Sequence, residues 1–220
     1  MNIVTLITAK GNSIRVKNKN MKKLNGVPLI DYTINAALKS VINNNYLFVS
    51  SESAIIQKHV IKKKINFIKR PQRLSSKFAT SEDVILHSLK NINHEKHDYL
   101  MILQPTSPFR SHKNINDFLV YAKKNYNKFD CLLSSYVNPN DMWKEKNSYL
   151  IRIQKNAPRN TFQRKPFIEE NSAIYLINIR NFLKTNKISS GRVMHFPISK
   201  LNSIDINDME DFKLAEKILK

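Results

Sequence analysis

Short apolar runs alternate with amphipathic stretches along this chain. Residues 2–7 hold the run Ile3-Val4-Thr5-Leu6-Ile7, which has the length and composition of a buried strand. Residues 29–40 place Leu29, Ile30, Ile34, Ala37 and Leu38 at helical spacing. The same reading predicts strands over 46–50, 65–68, 99–103, 131–137 and 173–177, and helices over 53–61, 81–91, 115–125 and 208–219. The helix from residue 81 opens on Thr80-Ser81-Glu82-Asp83, a capped start with acids in its first turn. Strands that take turns with helices predict an α/β fold with a mostly parallel, helix-covered sheet. Residues 138–170 break the rhythm with Trp143, several prolines and short alternating pieces, and are expected to form a small inserted hairpin or arm, a candidate for dimerisation. No repeat, low-complexity tract or linker divides the chain, so residues 1–220 are expected to form one domain.

The first strand empties into a loop that carries Lys10, Gly11, Asn12 and Ser13, with Lys17, Lys19 and Asn20 close behind. The chain has three glycines, and Gly11 and Gly26 bracket this loop. Glycine permits positive φ or close backbone approach, and exposed amides with lysines after a first parallel strand suit phosphate groups. The loop lacks the Gly-Lys-Ser/Thr ending of a Walker A motif and the Gly-x-Gly-x-x-Gly dinucleotide fingerprint. A nucleotide-binding enzyme is the expectation, and a plain strand-to-helix turn is the competing one.

Composition changes this picture in one respect. Hydrophobic (41%) and charged (25%) fractions are those of an ordinary globular protein, but the net charge is +20. Such charge suits a polyanionic partner, or it reflects lysine scattered over solvated faces. The lysines are dispersed, the longest run being Lys62-Lys63-Lys64, which favours scattering with an added pull on anionic substrates. A nucleic-acid binder would rest on charge alone, without a motif or interleaved aromatics, so no nucleic-acid partner is expected. A single cysteine, Cys131, opens a strand-like stretch and reads as a buried thiol in a reducing compartment. No apolar run approaches a membrane span and the amino terminus does not read as a signal peptide, so a cytoplasmic protein with no membrane partner is expected.

Eight segments spread along the chain then resemble one family. Ala9-Lys10-Gly11-Asn12-Ser13, Lys19-Asn20 and Leu24-Asn25-Gly26-Val27-Pro28-Leu29 are similar to the opening of the CMP-sialic acid synthetases (acylneuraminate cytidylyltransferases), Ala-Arg-x-x-Ser-Lys, Lys-Asn and Leu-x-Gly-x-Pro-Leu. Leu103-Gln104-Pro105-Thr106-Ser107-Pro108-Phe109-Arg110 resembles the family's Leu-Gln-Pro-Thr-Ser-Pro-Leu-Arg and is the most specific match. Val49-Ser50-Ser51-Glu52, Arg70-Pro71 with Ala79-Thr80-Ser81, Asn171-Ser172-Ala173-Ile174-Tyr175 and Ser203-Ile204-Asp205-Ile206-Asn207 resemble further family segments.

The resemblance implies a Rossmann-like fold of the nucleotidyltransferase type. It also implies transfer of CMP from CTP to the 2-hydroxyl of a nonulosonic, sialic-acid-like sugar acid, with release of pyrophosphate. On that basis Lys10 and Lys19 hold the triphosphate beside Asn20, and Gly11, Asn12 and Ser13 complete the phosphate loop. Arg70 and Ser81 reach the ribose and base, and Gln104 and Tyr175 line the sugar pocket. Asp205, with Asn207, holds Mg²⁺ or Mn²⁺, and a homodimer is implied. The products of such enzymes feed surface glycans. A sugar-nucleotide-dependent glycosyltransferase is the competing enzyme, but its Asp-x-Asp metal pair is missing.

The chain also departs from the family pattern. Lys10 replaces an arginine, which keeps charge but loses a two-pronged grip on phosphate. Ile14 stands where a lysine is expected, and Lys77 where an acid is expected. Asn207 replaces the second metal-site aspartate, with an oxygen ligand but no charge, and Asp208 carries a carboxylate one place on. Ser172 replaces a glycine, and the arginine ahead of that segment has two candidates, Arg159 and Arg164.

Overall fold

Fully buried apolar strands set the architecture of the protein, for which a computed structural model describes all 220 residues, Met1–Lys220. A seven-stranded sheet contains β1 (Ile3–Thr8), β4 (Leu47–Ser51), β5 (Asn66–Lys69), β6 (Tyr99–Leu103), β7 (Cys131–Asn138), β10 (Phe167–Asn178) and β11 (Val193–Pro197). Two small ribbons lie outside it, β2 (Lys23–Leu24) with β3 (Val27–Pro28), and β8 (Trp143–Lys146) with β9 (Tyr149–Arg152). The strand order is β11-β7-β10-β6-β1-β4-β5, and β10 alone runs antiparallel to its neighbours.

Helices cover both faces. The cluster around Ile7, Val49, Met101 and Leu176 packs α1 (Leu29–Leu38), α2 (Ala54–Lys62) and α4 (His112–Lys124). The opposite cluster, around Leu6, Leu100 and Ile177, packs α3 (Ser81–Lys90) and α5 (Ile179–Thr185). A third cluster joins Leu24, Leu29 and Ile206 to Phe212 and Ala215 of α6 (Met209–Ile218). Capping boxes start α3 at Thr80 and Asp83, and α6 at Asp208 and Asp211, so the carboxylates meet backbone N–H groups left open at each helix start.

The expected strands and helices all form, within a few residues of the expected ends. Helix α4 starts earlier than its apolar periodicity suggests, because Ser111 and Asn114 form a capping box ahead of it. Strand β10 is longer than the apolar stretch 173–177, since exposed Ile168, Glu169 and Glu170 pair with β7 across a bulge. In that irregularity Ser172 sits at φ 58°, the left-handed region that favours glycine. Strand β11 and helix α5 were not anticipated. The segment between β7 and β10 does contain a hairpin, β8–β9, whose two turn residues Asn147 and Ser148 both have positive φ, as a primed turn requires.

Candidate active site

Four adjacent strands end on one edge of the sheet. In spatial order β6, β1, β4 and β5 run parallel and release Gln104, Lys10, Glu52 and Arg70. The carboxyl edge of a parallel sheet is where open α/β folds bind ligands. Lys10, Arg70, Ser81 and Gln104 line one cavity of about 160 Å³. A second cavity of about 410 Å³ shares Lys10 and adds Asn12, Arg73 and Lys77. A third, of about 380 Å³, shares Ser81 and adds Glu170, Tyr175 and Lys187. The first cavity shares lining residues with each of the other two, so the three follow one another from the first loop to β10.

Glu52 is the hub of the first loop. Its Oε1 accepts hydrogen bonds from the backbone N–H of Gly11 (2.8 Å) and Asn12 (3.2 Å). Its Oε2 pairs with Arg70 (3.1 Å to Nη2) and accepts the hydroxyl of Ser75. Burial pushes the carboxyl pKa up, but the Ser75 hydroxyl, the residue's own backbone, Arg70 and the Gly11 amide together hold it below the ordinary value. The loop amides expected to face phosphate therefore face a carboxylate of this chain. Arg70 is buried, with its guanidinium engaged by Glu52 and Ser75, and it forms cleft wall. Lys10 Nζ reaches the Ser76 carbonyl (3.2 Å) at the surface, and Ser13 is half-buried beyond Asn12. Buried Asn20 donates to the Lys10 carbonyl (2.7 Å), and its own side-chain oxygen has no partner.

The late acidic segment meets this loop directly. Lys19 Nζ donates to the Ile206 carbonyl (2.6 Å), and the Ile206 N–H donates to the Thr106 carbonyl (2.8 Å) in the turn after β6. Burial lowers the Lys19 pKa, and the Asp205 charge offsets this only in part. Ile206 is fully buried against Leu24, Leu29 and Phe212. Alternation along extended backbone then turns Asp205 and Asn207 to the same side, where Asn207 Nδ2 donates to Asp205 Oδ2 (2.9 Å). Asp208 is committed to capping α6, and Asp211 accepts the Asn207 and Asp208 N–H groups.

A divalent cation fits one point of this segment. Asp205 Oδ1 is buried without a hydrogen-bond partner, which suits a hard cation that takes one carboxylate and fills its shell with substrate phosphate and water. No group of three His, Cys, Asp or Glu side chains is placed to hold a metal by itself. As placed, Asn207 presents its N–H to Asp205.

Gln104 is held by a turn with a buried cation beneath it. Arg110 is 1% exposed and donates to the Gln104 carbonyl (3.2 Å), the Ala173 carbonyl (3.0 Å) and Thr33 Oγ1 (2.6 Å). The Gln104 side chain meets Thr8 Oγ1 at 3.4 Å. Tyr175 is buried at the third cavity, where its hydroxyl donates to Glu170 and lies 3.2 Å from Ser172 Oγ. Arg159 and Arg164 do not line the cleft cavities. Arg164 is tied into the arm by the carbonyls of Pro139, Pro158 and Arg159. Glu52 and Arg110 were not singled out as site residues. The signal for both was present in the resemblance, as the acid closing Val49-Ser50-Ser51-Glu52 and the arginine closing the Gln-Pro-Thr-Ser-Pro run.

Comparison with known proteins identifies the fold and the family. The N-acylneuraminate cytidylyltransferase of Escherichia coli O18:K1:H7 is 28% identical over 220 residues, covering 97% of this chain and 51% of the relative. The chain thus spans about half the length of that relative, as it does of the Streptococcus agalactiae serotype V enzyme of the same name. The CMP-N,N'-diacetyllegionaminic acid synthase of Legionella pneumophila is 24% identical, covering 100% of this chain and 97% of the relative. Among solved structures, a CMP:2-keto-3-deoxy-manno-octonic acid synthetase complexed with CTP superposes with a TM-score of 0.76 at 12% identity, over 100% of this chain and 98% of the other, which shows the shared fold. A family model described as Cytidylyltransferase matches residues 4–218, and the chain belongs to that family.

Proposed function

We propose that this chain transfers CMP from CTP to the 2-hydroxyl of a nonulosonic, sialic-acid-like sugar acid, releasing pyrophosphate, to supply a CMP-sugar for surface glycans. Its relatives' names support this substrate class, among them a pseudaminic acid cytidylyltransferase and a legionaminic acid synthase. One structural observation carries the reading. Lys10, Arg70, Ser81 and Gln104 share a cavity at the sheet edge, while Lys19 lies against the Asp205–Asn207 segment stitched to the Gln104 turn.

The sugar hydroxyl oxygen attacks the α-phosphorus in line and gives up its proton to water, the bond from the α-phosphorus to the α,β-bridging oxygen breaks, and pyrophosphate leaves. The protein's part is positioning and charge neutralisation. Lys10 and Lys19 grip the triphosphate. The loop carrying Asn12, Ser13 and Asn20 shapes the phosphate end, and Arg70 and Ser81 flank the nucleoside. Gln104 and Tyr175 border the space for the sugar acid. Asp205 would hold Mg²⁺ or Mn²⁺ together with phosphate oxygens, and the ion would screen charge on the α-phosphate and the leaving group.

The arm pairs two copies in this reading. A two-stranded ribbon is marginal alone, and Trp143, Tyr149, Leu150 and Phe162 are exposed on or near it. Arg159, on the same arm, is a candidate to enter a neighbouring copy's sugar site. No helix is long and apolar enough to cross a membrane, and a cytoplasmic place of action, with CTP at hand, completes the proposal. A pyrophosphate-release assay with CTP, Mg²⁺ or Mn²⁺ and a panel of nonulosonic acids tests it. Release with at least one acid is expected, and silence from folded protein across the panel would defeat it.

A further inference from the structure

We propose that Glu52 is a positioning residue of the nucleotide site: its carboxylate permanently occupies the Gly11 and Asn12 amides and ties them to Arg70, so the triphosphate is gripped by side chains on a loop already folded. This rests on the nucleotidyl-transfer reading.

Gly11 shows how tightly the loop is drawn in. A Cβ on Gly11 would lie 2.4 Å from Ser53 Cβ and 3.1 Å from Glu52 Oε1, so only glycine lets the backbone come this close. Ser53 is itself fixed as the N-cap of α2. Two neighbours thus converge on one carboxylate, the loop after β1 and Arg70 at the end of β5 with Ser75 just beyond, while the start of α2 presses on Gly11 itself.

The carboxylate is also not a stand-in that yields to an incoming phosphate. The Glu52 side chain is 5% exposed and that of Arg70 is 3% exposed. Departure of Glu52 would strand a buried guanidinium without its counter-charge, a strongly unfavourable change. A triphosphate must therefore be met by groups that remain accessible, and Lys10 on this same loop reaches the surface. Its backbone is pinned by Asn20 Nδ2 on its carbonyl, and the neighbouring Ala9 N–H donates to the Ser50 carbonyl (2.9 Å). Glu52 acts on the nucleotide through that pinned loop.

Glu52→Gln keeps the shape and removes the charge. With native circular dichroism retained, KM for CTP should rise about tenfold or more, the loss expected for a hydrogen bond to a charged group. KM for the sugar acid should stay nearly unchanged, and the Gly11 and Asn12 amides should exchange hydrogen faster. Gly11→Ala, which pushes the loop off an intact Glu52–Arg70 pair, should raise KM for CTP in the same way and decides the matter if Glu52→Gln does not fold. An unchanged KM for CTP in a folded variant overturns the proposal. A lowered KM also overturns it, since the carboxylate would then be a competitor of phosphate. Wild-type protein that neither binds CTP nor releases pyrophosphate would defeat the nucleotidyl-transfer reading instead. Amide exchange at Gly11 and Asn12 reports the Glu52 contact without any substrate, so the two failures are distinguishable.

Discussion

At the carboxyl edge of the sheet, buried Glu52 is answered by two backbone amides, Arg70 and Ser75. In the arm between β7 and β10, Trp143 (48% exposed), Tyr149 (76%) and Phe162 (97%) are answered by nothing in the chain. The arm's charged groups do meet one another, because Asp141 pairs with Arg152 and Arg164, and Arg164 reaches three carbonyls. The cleft edge is thus finished within one chain, and its lysines, Lys10 and Lys19, meet carbonyls and form no ion pair. The arm is tied by its own ion pairs, with Asp141 Oδ1 buried without a hydrogen-bond partner, and its large apolar residues stay exposed. In the proposed dimer these exposed residues would meet a second copy.

The sharpest way to break this contrast is to take away Lys19, whose Nζ meets a carbonyl and forms no ion pair. Lys19→Ala should lower turnover by about 10²–10³-fold, as removal of a preorganised charge-stabilising group does. A loss below tenfold, by pyrophosphate release at saturating CTP, would remove Lys19 from the phosphate clamp. The wild-type pH profile sharpens the point. Because burial lowers the Lys19 pKa, its charge is lost at a pH below the ordinary lysine value of 10.5. In the window between the lowered value and 10.5 the unfolded chain binds more protons than the folded one, so stability rises with pH there. CTP affinity should fall over the same window, so binding and stability move in opposite directions, and an affinity flat up to pH 10.5 would refute it.

The arm is the other half of the contrast. Replacing Trp143, Tyr149 and Leu150 together by serine should raise the dimer dissociation constant by at least about a hundredfold, given the weight of aromatic anchors at interfaces. CTP binding by the separated chains should persist, since the edge is complete without the arm. Sedimentation at several concentrations, with calorimetric titration of CTP, reads both. An unchanged sedimentation coefficient would show that the exposed apolar residues serve something else.

Sequence legibility followed the same divide. Gln104 could be placed at the sheet edge because all five residues of β6 are apolar or aromatic and buried, and prolines end the run. The alternation Asp205-Ile206-Asn207 could be read because Ile206 has one buried direction to point in. Glu52 could not be given its role, since its partners Gly11, Arg70 and Ser75 meet it only once three strand ends are side by side. The first half of β10 escaped notice because Ile168, Glu169 and Glu170 are all exposed, so no apolar alternation marks the strand. Strand β11 has the same difficulty, with His195 and Pro197 interrupting an edge strand that is nowhere fully buried. The seven-residue α5 is too short to declare a period.

The smallest expected effect concerns the segment opposite the lysines. Asp205 and Asn207 point the same way because Ile206 is anchored between them, and their side chains touch. Asn207→Asp would set two carboxylates at that distance. Without a cation they repel, so thermal stability should fall at neutral pH, and Mg²⁺ should restore it. With a cation both can ligate, and the added charge should lower the Mg²⁺ midpoint for pyrophosphate release by roughly threefold to tenfold, as ligand charge count governs affinity for such ions. Neither neighbouring acid can supply this charge in the present chain, because Asp208 caps α6 and Asp211 holds the Asn207 and Asp208 amides. An unchanged midpoint, with the stability loss present, would mean that position 207 orients Asp205 and does not itself meet the ion.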